Sequence, residues 1–331
     1  MFSREKRKDS SIDFVRPRFI YLGITDKCNM KCPMCITKDH RAVDSQDELN
    51  SEQIKANILV PGKKLGLKGL NIGGGEPTLS KHLLTVINDA VELNYEIFLP
   101  TNLYRLNLNL FTDLLKLLDD QAHMIQISFD SIKKEEIISI RGIDAFEAVN
   151  NNLFKLVTLK KEVESKVNLV PAIILQPDNA DSIIETVDYL LYKAGVDSLN
   201  IQPRHDYSNV NKNNYMKQPF PRYPNHITKK ILNAAKKLDI RRKNGEPIYL
   251  TGWGYQNWVQ FYKNPLKIKR DYCASTAQIY IDAYGNYRGC LYAQPYSNVL
   301  KMDIASYLKS PYYEEFVKFV QICKICIHGC S

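Results

Sequence analysis

The chain has 331 residues, of which 44% are hydrophobic and 24% are charged, and its formal net charge is +9. This composition is typical of a folded globular protein and excludes a disordered or fibrous chain. Its longest mainly apolar stretch, Val167–Pro177, is far shorter than the ~18 residues of a membrane span. The first residues are basic but lack the apolar segment of a secretory signal. We therefore expect a cytoplasmic protein.

Six strand-like segments alternate with helical patterns in the first three quarters of the chain. The predicted strands are Arg18–Thr25, Gly69–Ile72, Glu96–Pro100, Met124–Phe129, Val167–Leu175 and Ser198–Gln202. The predicted helices are Asp47–Leu59, Ser80–Leu93, Leu108–Leu118, Ala145–Leu159, Asn179–Ala194 and His226–Leu238. This alternation is typical of βαβ units around a parallel sheet. Six units predict an α/β fold, a partial (β/α)6 barrel whose functional residues gather at the C-terminal strand ends.

The last quarter of the chain has a different sequence pattern, with short predicted strands and many aromatic residues. Gln278–Arg288 has the pattern of a β-hairpin that turns at Gly285 and Asn286, and Tyr313–Gln321 has a helical pattern. Before this region, Pro203–Asn225 contains four prolines and many polar residues, which predicts a loop or lid. We expect an N-terminal extension at residues 1–17, a barrel at 18–245 and a small α+β domain at 246–331.

The eight cysteines fall into two groups. Cys28, Cys32 and Cys35 lie close together near the start, and the other five follow residue 272. Three thiolates with C-x3-C-x2-C spacing on a loop can bind three irons of a cubane cluster and leave the fourth iron without a protein ligand. A tetrahedral zinc site would need a fourth ligand, for which His40 lies nearby. The spacing favours the iron–sulfur cluster.

The cysteine loop follows the first predicted strand, and a glycine-rich turn, Gly73-Gly74-Gly75-Glu76-Pro77, follows the second. Together these motifs resemble the radical S-adenosylmethionine (SAM) superfamily, and the resemblance extends over residues 18–202. It implies that Cys28, Cys32 and Cys35 hold a [4Fe–4S] cluster whose open iron is chelated by SAM. It also implies reductive cleavage of SAM to methionine and a 5′-deoxyadenosyl radical, which abstracts a substrate hydrogen atom.

The same resemblance implies SAM contacts at the strand ends. Glu76 would take the amino group of SAM, and Thr101-Asn102 is similar to a Thr-Asn-Gly motif in which Leu103 replaces the glycine. Ser128 and Asp130 match a Ser-x-Asp motif, and Arg141 matches an arginine that reaches the SAM carboxylate. The complete set of expected SAM contacts is Met34, Gly74, Gly75, Glu76, Asn102, Ser128, Asp130, Arg141 and Gln202. A helix cap or an ordinary ion pair is the alternative for the later assignments.

The C-terminal cysteines resemble a second kind of motif. Cys273, Gly285 and Cys290 are spaced as at the start of the auxiliary-cluster domains called SPASM and twitch. A full SPASM domain carries seven cysteines, whereas this region has five, which favours the twitch arrangement with one auxiliary [4Fe–4S] cluster. The expected ligands are Cys273, Cys290, Cys323 and Cys326, with Cys330 as an alternative to one of the last pair. A structural zinc site is the competing interpretation.

These resemblances predict a radical SAM oxidoreductase that acts on a small biosynthetic molecule. The auxiliary cluster would take an electron from the substrate radical or bind the substrate, and an external donor such as flavodoxin or ferredoxin would supply reducing electrons. Two alternatives stay open. One is a radical SAM maturase that cross-links or oxidises residues of a ribosomal peptide or protein. The other is a non-catalytic zinc-binding protein.

The positive charge is concentrated in one segment. Residues 204–245 contain eleven basic and two acidic residues, a surplus equal to the net charge of the whole chain. The segment follows the sixth predicted strand at the mouth of the barrel, so it suits an anionic substrate. Its alternative is a solvated helix face, because its lysines recur at helical spacing. No nucleic-acid-binding fold accompanies the charge, so we expect neither a nucleic acid nor a membrane as partner.

Overall fold

The computed structural model describes residues 17–35, 47–204, 223–252, 254–263, 274–290 and 293–322. In this part of the chain, nine strands form one sheet in the order β7-β6-β5-β4-β3-β2-β1-β8-β9. Neighbouring strands are parallel except β8 and β9, which are antiparallel. The strands are β1 Phe19–Thr25, β2 Gly69–Gly74, β3 Glu96–Thr101, β4 Met124–Ser128, β5 Asn168–Leu175, β6 Leu199–Pro203, β7 Ile248–Leu250, β8 Gln278–Ile281 and β9 Tyr287–Arg288.

Helices connect the parallel strands. They are α1 Ser51–Ile54, α2 Val60–Lys64, α3 Leu83–Glu92, α4 Leu108–Leu117, α5 Lys134–Arg141, α6 Phe146–Glu162, α7 Ile183–Asp188, α8 Asn225–Lys243, α9 Tyr255–Lys263, α10 Ile304–Leu308 and α11 Pro311–Ile322. A π-helical segment, Lys55–Leu59, joins α1 to α2, and another, Tyr189–Ala194, continues α7. Among these helices α5, α9 and α10 were not predicted from the sequence. Within the described ranges, no helix is long and apolar enough to cross a membrane.

The apolar pattern of the chain explains the layering. In α3 the buried residues Leu83, Val86, Ile87 and Ala90 are spaced to form one face, which packs on the sheet. The strands are buried on both sides, as in β5, where Leu169 and Ile173 of one face alternate with the buried Val170 and Ala172 of the other. The α/β fold with a mostly parallel, partial-barrel sheet is therefore confirmed.

The sheet extends further than the six predicted strands. β7 pairs in parallel with β6, and β8 pairs in parallel with the other side of β1. The predicted hairpin is present, and Gly285 adopts φ +86° at its turn, where Asp282 accepts hydrogen bonds from the N–H groups of Tyr284 and Asn286. Because this hairpin continues the barrel sheet, a domain boundary at residues 245 and 246 stays a prediction. The predicted extension and lid lie almost wholly outside the described residues.

Candidate functional site

The loop after β2 lies directly on the loop that carries the three cysteines. The N–H of Gly75 donates to the carbonyl of Thr25 at 2.6 Å, and the N–H of Glu76 donates to that of Lys27 at 2.7 Å. A Cβ atom on Gly74 would lie 2.2 Å from the Thr25 oxygen, and one on Gly75 would lie 2.1 Å from the Lys27 oxygen. These glycines therefore allow the two loops to approach each other closely, whereas the sequence analysis expected Gly74 and Gly75 only as contacts of SAM.

Glu76 ties the end of β2 to the end of β3. Its side chain is buried, and Oε1 accepts hydrogen bonds from the hydroxyls of Thr78 at 2.7 Å and Thr101 at 2.8 Å. Its other oxygen, Oε2, accepts from the N–H of Asn102 at 2.7 Å. Burial raises the pKa of Glu76, and these donors oppose the shift. The carboxylate thus acts as an internal brace, and its role toward the SAM amino group stays a prediction.

Asn102 connects β3 to the cysteine loop. Its Nδ2 donates to Asn29 Oδ1 at 2.7 Å and lies 4.0 Å from the Cys28 sulfur, while its Oδ1 accepts from the N–H of Tyr104 at 2.9 Å. The next residue, Leu103, is fully buried and adopts φ +52°. This left-handed conformation favours glycine. The backbone shape of a Thr-Asn-Gly turn is therefore kept although the glycine is not.

A buried ion pair connects β4 to the same loop. The Nε–H of Arg141 donates to Asp130 Oδ2, and its Nη1 lies 3.9 Å from the Cys32 sulfur. The second oxygen of Asp130 accepts from the N–H of Ile174 in β5 at 2.8 Å. Burial opposes the Arg141 cation, but Asp130 and Cys32 outweigh it and raise its pKa. Burial raises the pKa of the Cys32 thiol, and Arg141 opposes that rise.

Helix α5 presents Arg141 to the cysteine loop. The carbonyl of Arg141 accepts from the N–H of Lys31 at 3.2 Å, and Gly142 ends the helix with φ +72°. A Cβ on Gly142 would lie 2.3 Å from the Lys31 oxygen, so this contact needs glycine. Sequence reasoning missed the helix, although Glu135 and Glu136 in its first turn and the glycine after its end are ordinary helix signals.

The other predicted SAM residues lie near the same edge of the sheet but are spread along it. Met34 is buried within the cysteine loop, Ser128 is the last residue of β4, and Gln202 lies in β6 in register with Ile174. The structure therefore brings Glu76 and the Asn102 and Arg141 side chains to the cysteine loop. For all the residues predicted to contact SAM, these among them, the contacts with SAM stay predictions.

The surroundings of the thiols fit an iron–sulfur cluster. Hydrogen-bond donors lie 4.0 and 3.9 Å from two of the sulfurs, where they would tune the reduction potential of a cluster. In addition, Asn29 Nδ2 is buried without a hydrogen-bond partner among the described residues, so the loop has a donor left for an acceptor atom. Within those residues, no three His, Cys, Asp or Glu side chains converge as the ligands of one metal ion would. A cubane needs no such convergence, because each thiolate binds a different iron.

Three carboxylates that the sequence analysis did not single out, Asp26, Glu48 and Asp282, lie close together at the start of the cysteine loop. Glu48 Oε1 accepts from the hydroxyl of Thr25 and from the N–H of Asp26, both at 2.8 Å. Burial raises the pKa of Asp26 to about 6, and the nearby carboxylate of Asp282 adds to the shift. Arg288 contacts Asp282 at 3.2 Å. The side chain of Asp282, which follows β8, therefore lies close to the cysteine loop and is held by Arg288 of β9.

The auxiliary-cluster prediction falls mostly on residues outside the described part of the chain, namely Cys273, Cys323, Cys326 and Cys330. Cys290 is described, is half-buried and lies near the hydroxyls of Tyr307 and Tyr312, whose pKa values are raised chiefly by burial and further by Cys290. Its neighbour Gly289 packs against Phe316 of α11. Since Cys323 follows α11 in the sequence, this packing is compatible with the predicted ligand set.

Comparison with known proteins identifies the family of this site. A family model described as the radical SAM superfamily matches residues 22–190, slightly more than half of the chain. The chain belongs to the radical SAM superfamily. Membership implies SAM binding and a [4Fe–4S] cluster, so these predictions are confirmed for the class, and the alternative of a non-catalytic zinc protein is set aside.

The chain is also similar to individual enzymes over most of its length. A probable GTP 3′,8-cyclase from Sulfurisphaera tokodaii is 25% identical over 300 residues, which cover 90% of this chain and 88% of that protein. A GTP 3′,8-cyclase from Staphylococcus haemolyticus is 25% identical over 316 residues, which cover 88% of this chain and 83% of that protein.

Solved structures show the same fold. The crystal structure of Streptococcus suis SuiB bound to precursor peptide SuiA superposes with a TM-score of 0.69 at 17% identity, covering 96% of this chain and 72% of that one. Native anSMEcpe with bound AdoMet superposes with a TM-score of 0.62 at 17% identity, covering 95% and 89%. At this identity the likeness establishes the fold alone.

Proposed function

We propose that this radical SAM enzyme abstracts a hydrogen atom from a small anionic molecule. The observation that carries the proposal is the cysteine loop, which residues from β2, β3 and α5 hold at the C-terminal edge of the sheet. The substrate class is supported by two relatives of similar length that are named for GTP, a small anionic molecule. The excess of basic residues after β6 supports it further.

Cys28, Cys32 and Cys35 would hold the [4Fe–4S] cluster. When bound, the reduced cluster supplies the electron that cleaves SAM and generates the 5′-deoxyadenosyl radical. The protein's own task is to fix the loop and exclude water from it. We propose that Glu76, Asn102 and the Asp130–Arg141 pair do so, and that the further predicted contacts orient SAM. These further residues are Met34, Gly74, Gly75, Ser128 and Gln202.

We further propose that residues 246–331 form a twitch-type region with one auxiliary [4Fe–4S] cluster held by Cys290 and by the C-terminal cysteines named above. That cluster would accept the second electron of a two-electron oxidation, with flavodoxin or ferredoxin as the external donor for the first cluster. The relatives are named for a ring closure in GTP rather than for an oxidation. Analysis of the product therefore separates an oxidation from a cyclisation.

The decisive experiment follows deuterium from a candidate substrate into 5′-deoxyadenosine. Anaerobically loaded protein, SAM and dithionite would be incubated with ribose-deuterated GTP, with other deuterated small anions or with deuterated peptides, and Cys32→Ala would serve as the control. Deuterium from a small anion supports the proposal. Deuterium from a peptide alone would identify a maturase instead. Iron-loaded protein that forms no deoxyadenosine would contradict the proposed activity itself.

A further inference from the structure

Of the four buried side-chain donors beyond the cysteine loop that have no partner among the described residues, two lie after β6 and in α9. Among the described residues, Arg204 Nε and the Tyr262 hydroxyl are both shielded from solvent and find no acceptor. Arg204 directly follows β6, at the C-terminal edge of the sheet, and Tyr262 lies in α9. Buried polar groups in folded proteins are almost always hydrogen-bonded, because an unpaired one destabilises the fold. Two such donors at the same end of the sheet therefore point to a missing acceptor.

The guanidinium of Arg204 is held in place on one side. Its Nη1 donates to Gln176 Oε1 at 3.1 Å, and its backbone N–H donates to the carbonyl of Leu175 at 3.2 Å. Gln176 is itself buried, and its N–H donates to Asn179 Oδ1 at 2.9 Å. No carboxylate of the described residues pairs with Arg204. The guanidinium is thus fixed before any ligand binds, and its charge is available for an anion.

Aromatic packing fixes Tyr262 in the same way. Its ring centroid lies 5.1 Å from that of Phe261, 6.4 Å from that of Trp258 and 6.3 Å from that of Tyr223. The indole N–H of Trp258 donates to the carbonyl of Thr251, just after β7, at 2.6 Å, which anchors α9 to the sheet. Burial raises the pKa of Tyr262, although the nearby Arg204 charge opposes it, so the phenol keeps its proton as a donor.

Hydrogen bonds connect the Arg204 side of this pair to the cysteine loop, through Gln176. Asn179, which holds the backbone of Gln176, also donates from Nδ2 to the carbonyl of Asp130 at 2.9 Å. Asp130 pairs with Arg141, which contacts Cys32. Arg204 therefore belongs to the same strand-end edge as the cysteine loop, and Tyr262 comes to that edge through α9, which is anchored just after β7.

We propose that Arg204 and Tyr262 bind an oxyanion of the substrate, a carboxylate or a phosphate group. Arg204 supplies the charge and a donor in a planar fork, and Tyr262 supplies a second, neutral donor. That the bound molecule is the substrate rests on the proposed function. The residues themselves bind the oxyanion whatever reaction the enzyme performs, and this property can be tested without turnover.

The test measures thermal unfolding of the anaerobic, cluster-loaded protein in inorganic phosphate and, separately, in acetate, with chloride at matched ionic strength as reference. A ligand that binds the folded state raises the melting temperature. We expect phosphate or acetate to raise it in the wild type and in Lys263→Gln, a matched charge change on the exposed neighbour of Tyr262. Arg204→Gln should abolish the rise, and Tyr262→Phe should reduce it. A response to phosphate alone or acetate alone identifies the group.

Tyr262→Phe gives a second, opposite signal. Without added anion this variant should melt at a higher temperature than the wild type, because it removes a buried hydroxyl that has no partner. A lower melting temperature, or an equal anion response in Arg204→Gln and the wild type, would overturn the proposal.

Reductive SAM cleavage without substrate is measured alongside. If Arg204→Gln loses reductive SAM cleavage to the same extent as it loses the anion response, the oxyanion is the SAM carboxylate and the substrate assignment is wrong. If the wild type itself cannot cleave SAM, only the proposed function is contradicted.

Discussion

The C-terminal edge of the sheet has two stretches that differ in how completely the protein satisfies its own polar groups. Between β1 and β4, Glu76 accepts a hydrogen bond from Asn102 at the end of β3, and Arg141 joins Asp130 to the cysteine loop. Among the described residues of this stretch, Asn29 Nδ2 is the buried donor that has no partner. After β6, Arg204 and Tyr262 each have one buried hydrogen-bond donor without a partner among the described residues. The first stretch is therefore rigid in advance, as a cluster site requires, whereas the second depends on a ligand.

Removing a thiol of the cysteine loop should have the largest effect. Cys32→Ala should reduce reductive SAM cleavage to the background of a protein-free reaction, because the cluster loses one of its three ligands, and should lower iron content by about four atoms per chain. Deoxyadenosine formation and iron per chain are the measurements. The matched control is Cys290→Ala, which should keep SAM cleavage and lose product formation. Equal behaviour of the two variants would contradict the separation of two cluster regions.

Breaking the Asp130–Arg141 pair tests how far the first stretch depends on its internal bonds. Asp130 is fully buried and 11% of the Arg141 side chain is exposed, so Asp130→Asn leaves a buried cation without its partner and should destabilise the protein by about 3–5 kcal/mol. Urea unfolding of the loaded protein measures this. Asp144→Asn is the control, because it removes an ion pair with Lys134 in which both side chains are half exposed, and it should change stability far less. Similar losses would show that Asp130 is not a structural centre of the site.

Leu103 allows a sharper test of the β3 turn. Leu103→Gly and Leu103→Ala both remove a fully buried side chain, which costs about 2–5 kcal/mol. At φ +52° glycine avoids a strain that alanine keeps, so Leu103→Gly should be the more stable of the two by about 1 kcal/mol. At the buried strand residue Leu99, the stabilities of the same two variants should rank in the ordinary order, with Leu99→Ala more stable than Leu99→Gly. An ordinary order at Leu103 as well would contradict the role of its backbone conformation.

Local pattern was enough to predict the first six strands and the cysteine loop. β1 to β6 are short apolar segments bounded by turns, and Cys28, Cys32 and Cys35 are close in the sequence. The partners of Glu76 were not predictable in this way, since Thr101 and Asn102 lie 25 and 26 residues further on.

Contacts between distant segments were the least accessible to sequence reasoning. The pairing of β8 with β1 joins residues more than 250 positions apart, and no local pattern specifies it. Arg204 and Tyr262 come to the same end of the sheet because α9 packs after β7, and no local sequence pattern relates the two residues. Helix α5 was missed for a different reason, because its residues show a weak apolar pattern although its caps were recognisable.

The smallest effect is expected at the opposite end of the sheet, where residues serve stability rather than the site. His123 precedes β4, and its Nδ1 accepts a hydrogen bond from the N–H of Ile97 in β3 at 3.0 Å. Burial lowers the pKa of His123, although Asp120 and Glu96 oppose the shift. Below the ordinary histidine pKa of ~6.5, the unfolded chain therefore binds a proton that the folded chain does not, and stability falls as the pH falls through this window.

Replacing His123 should remove that contribution. His123→Gln keeps an acceptor for Ile97 and cannot titrate, so its urea midpoint should fall less than that of the wild type between pH values above and below ~6.5. SAM cleavage by the loaded variant should equal that of the wild type, because His123 lies at the other end of the strands from the cysteine loop. Equal pH dependence of the two midpoints would show that His123 does not contribute, and a loss of SAM cleavage would show that the two ends of the sheet are not independent.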